Sequence, residues 1–279
     1  MESKKKEIKK NIVKAVNKVR EINPMAGSIT NTVTINFVAN AQLAVGGSAA
    51  MVYLPDEGED LARLGDAMYI NVGTMFPVYE ETLEHVARIL FEIGKPWVLD
   101  PVAIGIGDLR TKVLKEFKNY KPNIIRGNAS EIIALAGLWE LDGGRRNSKV
   151  RGVDSTNLVG EAKNAAIELA KYTGGAVAVS GAIDLVTDGK LLVYSKGGSH
   201  FMEKITGAGC SLGGVMGIYL TVTDPFTAAI VGTQIYNLAG RLAEMRSQGT
   251  GSFHVHFLDE LYKASGQDIA NNYFEIKEV

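Results

Sequence analysis

The segment Ile205-Thr206-Gly207-Ala208-Gly209-Cys210, followed by the apolar run SLGGVMGIYL, concentrates residue types that do chemistry. Two glycines immediately before a helical run let the chain turn tightly and point unpaired backbone N–H groups outward, where the helix dipole also favours an anion. The pattern reads as a phosphate or oxyanion pocket, or equally as a tight turn with close helix packing. The strand-rich segments before it and a cysteine in the first helical turn favour the pocket. Cys210 itself has two readings. Buried cysteine is commonly a small hydrophobe. At a helix N-terminus, however, a thiol's pKa falls from about 8.5, which makes proton abstraction at neutral pH feasible. In that second reading Cys210 is a general base.

A second group lies where apolar segments end: Asp100 in LDPVAIGIGD, and Arg126 with Glu131 in IRGNASEI. In parallel α/β sheets ligands collect beyond the carboxyl ends of strands. Carboxylates there hold Mg²⁺ directly or through water, and an arginine pairs with phosphate. Asn128, Ser130 and Glu131 also read as a helix N-cap and first turn, and both roles are compatible. In SITNTVTINFVANAQLAVGGSAAM, Asn31, Asn36 and Asn40 punctuate an apolar, helix-like run. Buried amides need partners, which a ligand or a core network supplies. Met51, at the end of an expected strand, reads by itself as core. His85 sits in a helical pattern and His200 stands apart, while the spacing of His254 and His256 puts both on one face of a strand, with no third metal ligand nearby.

The elements that must position these groups follow from patterning. Ala49 to Tyr53, Ala67 to Gly73, Pro96 to Val102, Asn123 to Asn128 and Ala176 to Gly181 are short, continuously apolar and bounded by turn residues. ETLEHVARILFEIGK and EAKNAAIELAKYTGG between them have helical spacing and stop at glycine. Continuous apolarity implies strands buried on both faces, hence an α/β fold with a mostly parallel central sheet flanked by helices on both faces. DLVTDGKLLVYS carries an Asp-Gly pair between apolar runs and predicts an antiparallel hairpin. Ile8, Ile12, Val16 and Val19 predict an amphipathic N-terminal helix, and Ile205 to Val222 a buried one. The stretch from Asp142 to Ser148 reads as an exposed loop. No repeat and no linker-like tract divides the chain, so residues 1–279 are expected to form one domain.

Composition excludes several classes. The chain has 46% hydrophobic and 22% charged residues, which suits a packed core rather than disorder. A net charge of -1, from 30 basic and 31 acidic residues, gives no field for nucleic acid or anionic membrane. The single cysteine excludes an intrachain disulfide and a cysteine-rich zinc site, and fits a reducing cytoplasm. The basic start MESKKKEIKK lacks the apolar core of a secretion signal, and no stretch has the roughly 20 apolar residues of a membrane span.

Taken in order, SITN, NFVANAQLAVGGSAAM, NVGT, VLDPV, IRGNASEI, GVDST, ITGAGC and GTGSF, from about Asn23 to Tyr262, resemble the hydroxyethylthiazole kinase family of the ribokinase-like fold. The cysteine of GAGC discriminates, since sister sugar, pyridoxal and pyrimidine kinases usually carry aspartate there. The resemblance implies ATP- and Mg²⁺-dependent phosphorylation of the primary alcohol of hydroxyethylthiazole in thiamine biosynthesis or salvage. It implies Cys210 as catalytic base and Gly207, Ala208 and Gly209 as the anion hole. Arg126 and Ser180 match nucleotide-contacting positions, Asp100 and Glu131 acidic positions near Mg²⁺, and Asn31, Met51 and Gly207 the thiazole-alcohol pocket. It further implies a homotrimer with pockets shared between subunits. Alternatives within the fold are a kinase for another small alcohol and an ATP- or ADP-dependent hydrate dehydratase; a non-enzymatic ligand sensor is a third. The chain departs from the family pattern at Gly27, where a histidine is usual and a missing imidazole beside the pocket is implied. It also departs at Ala49, where proline is common, and at Ala103, where glycine is usual.

Overall fold

The computed structural model describes residues 1–145 and 159–279, so the GVDST motif and the end of the expected loop at Asp142–Ser148 lie outside the described residues. An amphipathic helix α1 (Glu2–Ile22) buries Ile8, Ile12, Val16 and Val19, as their spacing requires. There follow β1 (Met25–Ile29), α2 (Ile35–Ala44), β2 (Ser48–Met51), α3 (Pro55–Leu64), β3 (Ala67–Asn71), α4 (Tyr79–Glu92) and β4 (Trp97–Asp100). The chain continues through α5 (Asp108–Tyr120), β5 (Ile124–Asn128), α6 (Ala129–Leu138), α7 (Val159–Thr173), β6 (Ala176–Ser180), β7 (Asp184–Thr187) and β8 (Leu191–Ser195). It closes with α8 (Ala208–Leu220), α9 (Pro225–Glu244), α10 (Thr250–Lys263), α11 (Gly266–Asn271) and β9 (Phe274–Glu278).

The strands form a sheet in the order β2-β1-β3-β4-β5-β6-β7-β8-β9. The six strands from β2 to β6 pair in parallel, and β7, β8 and β9 add as antiparallel neighbours. The expected hairpin is therefore present, and the sheet is mixed at one side. Two strands lie outside the sequence expectation, β1 beside the edge strand β2 and β9 at the opposite edge.

Side chains alternate across each strand, and the two cores follow that parity. Ala67, Tyr69, Val98, Ile124, Ala176 and Ala178 face one layer with α1, α2, α8, α9, α10 and α11. Met68, Ile70, Trp97, Leu99, Ile125, Val177 and Val179 face the other, with α3 to α7. Both faces of the central strands are buried, which is why they read as unbroken apolar runs. Among the described residues, no helix is long and apolar enough to cross a membrane.

Candidate active site

Parity extends to the strand ends and gathers the polar residues. On β3 Asn71 follows Tyr69, on β4 Asp100 follows Val98, on β5 Arg126 follows Ile124, and on β6 Ser180 follows Ala178, all on the face that packs against α8. The parallel register sets Asn71 opposite Asp100 and Arg126 opposite Ala178. One layer of the sheet thus delivers an amide, a carboxylate, a guanidinium and a hydroxyl to its carboxyl edge.

The first turn of α8 descends on this edge. Gly207, the N-cap of the helix, stands at φ 94°, a conformation that suits glycine, and offers no capping side chain of its own. A Cβ at Gly207 would lie 2.8 Å from Thr34 Cγ2, and one at Gly209 would lie 2.6 Å from Arg126 Nη2. Glycine at these two positions lets the backbone come down directly onto the guanidinium. The first amides of a helix have no intrahelical partner, and here they open beside a cation, so the arrangement favours an anion.

Arg126 is 7% exposed and donates through Nη1 to Asp100 Oδ1 and Oδ2 at 3.3 and 3.2 Å, and through Nη2 to Ser180 Oγ at 3.3 Å. Among the described residues its Nε is buried without a partner. Asp100 is fully buried and also accepts from Tyr69 Oη at 2.9 Å and Asn71 Nδ2 at 3.0 Å. Burial pushes its carboxyl up, while Arg126 and the Tyr69 and Asn71 donors pull it back. Glu131 closes a capping box with Asn128, its Oε2 accepting from the Asn128 N–H at 2.8 Å. Burial, followed by the Asp100 charge, pushes Glu131 up to about 7. The capping role read from sequence and the place beside the charged cluster hold together.

Cys210 Sγ accepts from Asn31 Nδ2 at 3.3 Å. The expected lowering of its pKa is not found. Burial and the neighbouring Asp100 charge push the thiol up, against the pull of Arg126 and of the Asn31 and Thr34 side chains. The physical reason is that a dipole at the helix start competes with desolvation of the thiolate, and here a carboxylate stands nearby as well. Asn31, Asp100, Arg126, Glu131, Ser180, Gly207, Ala208, Gly209 and Cys210 therefore belong to one neighbourhood. Met51 is half-buried at the end of the edge strand β2, on the α8 side of the sheet.

Other expectations are corrected. Asn36 and Asn40 bond to each other at 3.0 Å on the outer side of α2, away from Cys210. His254 and His256 lie on helix α10, where a two-residue step turns side chains to different faces. His254 packs edge-on against Phe37, and His256 pairs with Ser247 Oγ. Gly27 is not beside the site: a Cβ there would lie 2.5 Å from Leu61 and Met68, in the opposite core layer. An imidazole at that position would compete with the core, so Gly27 does not alter the pocket directly. Ala49 pairs with Ala26 in the β1–β2 ladder. Among the described residues, no cluster of three or more His, Cys, Asp or Glu is placed to hold a metal.

The structure also adds residues that the sequence reading passed over. Tyr69 and Asn71 hold Asp100, and Thr34 lies against Gly207. Asp184 accepts from the Gly181 N–H at 3.0 Å and from Asn237 Nδ2 at 2.8 Å, and burial pushes its carboxyl up to about 6. That clip ties the loop after Ser180 to α9.

Comparison with known proteins places this geometry. The model of the hydroxyethylthiazole kinase family matches residues 16–267. The chain belongs to the hydroxyethylthiazole kinase family. It is 49% identical to the hydroxyethylthiazole kinase of Bifidobacterium longum subsp. infantis, covering 95% of this chain and 90% of the relative. The structure of hydroxyethylthiazole kinase from Pyrococcus horikoshii OT3 superposes with a TM-score of 0.84 at 33% identity, over 97% of this chain and 99% of that one. Pyridoxal kinase of Staphylococcus aureus, solved with ADP, gives 0.58 at 15% identity over 92% and 99%, a likeness of fold alone. The fold is ribokinase-like, as expected.

One loop residue is strained. Ala103, in the loop after β4, adopts φ 59°, a left-handed conformation that suits glycine. A left-handed Ala costs about 1–2 kcal/mol, against about 0.5–1 kcal/mol for the greater freedom of an unfolded glycine. Ala103→Gly is therefore expected to raise the thermal midpoint by about 2 °C, in line with a net gain of up to about 1 kcal/mol. A lowered midpoint on thermal denaturation would show that the loop is not strained.

Proposed function

We propose that this chain transfers the γ-phosphoryl group of ATP to the primary alcohol of hydroxyethylthiazole, the reaction for which its relatives are named. The observation that carries this reading is the juxtaposition of the Cys210 thiol, the uncapped start of α8 and the buried Arg126 guanidinium at one sheet edge. The Cys210 thiolate takes the alcohol proton as the oxygen attacks phosphorus in line, and the bond from the γ-phosphorus to the bridging oxygen breaks to release ADP. Charge developing on the phosphoryl oxygens is met by the backbone N–H groups of Ala208, Gly209 and Cys210. Phosphoryl transfer has a loose transition state, so positioning and fixed dipoles contribute more than base strength. Burial, which pushes the thiol up, leaves a smaller thiolate fraction at neutral pH but makes the thiolate that forms a stronger base.

Arg126 and Ser180 serve the nucleotide, while Asn31, Met51 and Gly207 border the alcohol. Asp100 and Glu131 would hold Mg²⁺, through water and jointly with the phosphates. Both oxygens of Asp100 already accept hydrogen bonds, and no three-ligand protein cage occurs among the described residues. That donor set fits a cation held by one or two carboxylates and by substrate phosphates. The ion supplies positive charge to the phosphate oxygens. The acceptor is tested by product analysis across hydroxyethylthiazole and pyrimidine, pyridoxal and sugar alcohols: hydroxyethylthiazole is expected to have the highest kcat/KM, and a better substrate among the others would reassign it.

A role in thiamine salvage and a cytoplasmic location follow from this reaction and from the lone, unpaired cysteine. The proposed assembly is a homotrimer. Support comes from the edge strand β2, whose residues are all half-exposed, and from the exposed apolar side chains of Val33, Leu43 and Leu54 around it. An unpaired sheet edge flanked by apolar side chains favours association. Sedimentation should give the mass of three 30.0 kDa chains, and a monomer at assay concentration would rule the trimer out.

A further inference from the structure

Cys210 receives a hydrogen bond from an amide that other residues hold in one orientation. Asn31 Oδ1 accepts from the Thr34 N–H at 3.1 Å, which commits its Nδ2 to the other side. There Nδ2 donates to Asn71 Oδ1 at 3.0 Å and to Cys210 Sγ at 3.3 Å. Asn71 is fixed in the same way: its Oδ1 also accepts from the Gly73 N–H at 2.9 Å. Its Nδ2 donates to Asp100 Oδ2 at 3.0 Å and to Tyr69 Oη at 2.9 Å, and Tyr69 in turn donates to Asp100. Each amide has acceptors on one side and donors on the other, so neither flips without losing bonds on both sides. Asn31, Asn71, Tyr69 and Asp100 are all buried, where a misdirected amide costs most.

We propose that Asn71 is a positioning residue that acts through Asn31, holding the Asn31 N–H rather than its C=O toward the Cys210 sulfur and the attacking alcohol. The inference rests on the reading of Cys210 as the base. With an N–H pointed at it, the sulfur is favoured as the thiolate, whose remaining lone pairs can take the alcohol proton. With a C=O in that place, the sulfur would act as the donor and the amide oxygen would face the phosphoryl group. Asn71 touches neither substrate nor sulfur, and it links Asp100 on one side of the site to the thiol on the other.

The test is a double-mutant cycle with two readouts: kcat, and the rate at which iodoacetamide alkylates Cys210, the only cysteine in the chain. Asn71→Ser keeps a hydroxyl near Asp100 but is too short to accept from Asn31. It should slow alkylation and lower kcat by about fivefold, and Asn31→Ala should do so by about tenfold, the range for one ordinary lost hydrogen bond. The double variant should be no slower than Asn31→Ala, because the two residues act in series. The Mg²⁺ concentration for half-maximal rate and the KM for ATP should stay unchanged in Asn71→Ser.

Multiplying effects, or a shifted Mg²⁺ requirement, would mean that Asn71 works through Asp100 instead and would overturn the inference. If the serine variant does not fold, Asn71→Gln, which moves the acceptor away from Asn31, gives the same comparison. Failure of the kinase reading looks different. The alkylation cycle needs no substrate, so non-additive alkylation with unchanged kcat would reject the base role of Cys210 while leaving the amide chain in place.

Discussion

Arg126→Ala is expected to damage both the fold and the nucleotide site. Among the described residues the guanidinium is the only charge-neutralising partner bonded to Asp100, at 3.2 Å and with both side chains largely removed from solvent. Deleting one member of a buried ion pair leaves the other uncompensated, which costs about 3–5 kcal/mol. In a chain of this size that corresponds to a thermal midpoint lower by roughly 10 °C. The same change removes the cation under the start of α8 and the partner of Ser180. The KM for ATP should therefore rise more than the KM for the alcohol, since a phosphate clamp acts on the nucleotide. Arg126→Lys keeps the charge without the planar fork and should recover stability better than affinity. Equal effects on both substrates with an unchanged midpoint would contradict the assignment.

The second large effect concerns Cys210. Replacement by Ser is nearly isosteric but offers a far weaker acid, whereas Asp brings a carboxylate with an ordinary pKa of about 4. Burial and Asp100, which push the thiol up, would also push this carboxyl up. Arg126 and the Asn31 and Thr34 side chains that pull the thiol down would hold the carboxyl ionised. The first helical turn also favours negative charge. If the residue takes the alcohol proton, kcat should fall about 100-fold in Cys210→Ser, within the usual range for general-base catalysis, and Cys210→Asp should stay well above it. If the residue only packs, Ser is the milder change and Asp costs several kcal/mol of stability. A stable, active Ser variant beside an unfolded Asp variant would remove Cys210 from the mechanism.

The sheet was legible where burial is symmetric. Strands such as IIRGN and AVAVS, covered on both faces, appear as short apolar runs bounded by turn residues, and their length separates them from the longer apolar helix α8. β1 escaped because MAGSI is built of small residues: Gly27 makes room for Leu61 and Met68, and Ser28 bonds to Gln42. β9 escaped because FEIKE is a charged edge, with Phe274 buried and its neighbours in solvent. The histidine pair misled because spacing was judged on two residues. The surrounding Phe253, Phe257 and Leu261, buried at steps of four, carry the helical period that places His254 and His256 correctly.

For the candidate site, residue types at strand ends pointed to Asp100 and Arg126, with Glu131 in the helical turn that follows, and the fold brings the three into one neighbourhood. Tyr69 and Asn71 were hidden, since a strand buried on both faces gives no sign of which face looks onto α8. Only the register, with Asn71 opposite Asp100, discloses it. The expectation for the Cys210 pKa failed for a related reason. Local sequence shows the helix start but not the burial of the thiol, nor the carboxylate that folding brings beside it.

The central claim, phosphoryl transfer to an added alcohol, is tested most directly by coupled ADP release with and without hydroxyethylthiazole, at saturating ATP and Mg²⁺. The account predicts ADP release that depends on the alcohol, with one thiazole phosphate ester formed per ADP. ATP consumption that is the same without the alcohol, or nucleotide binding with no turnover in its presence, would contradict it.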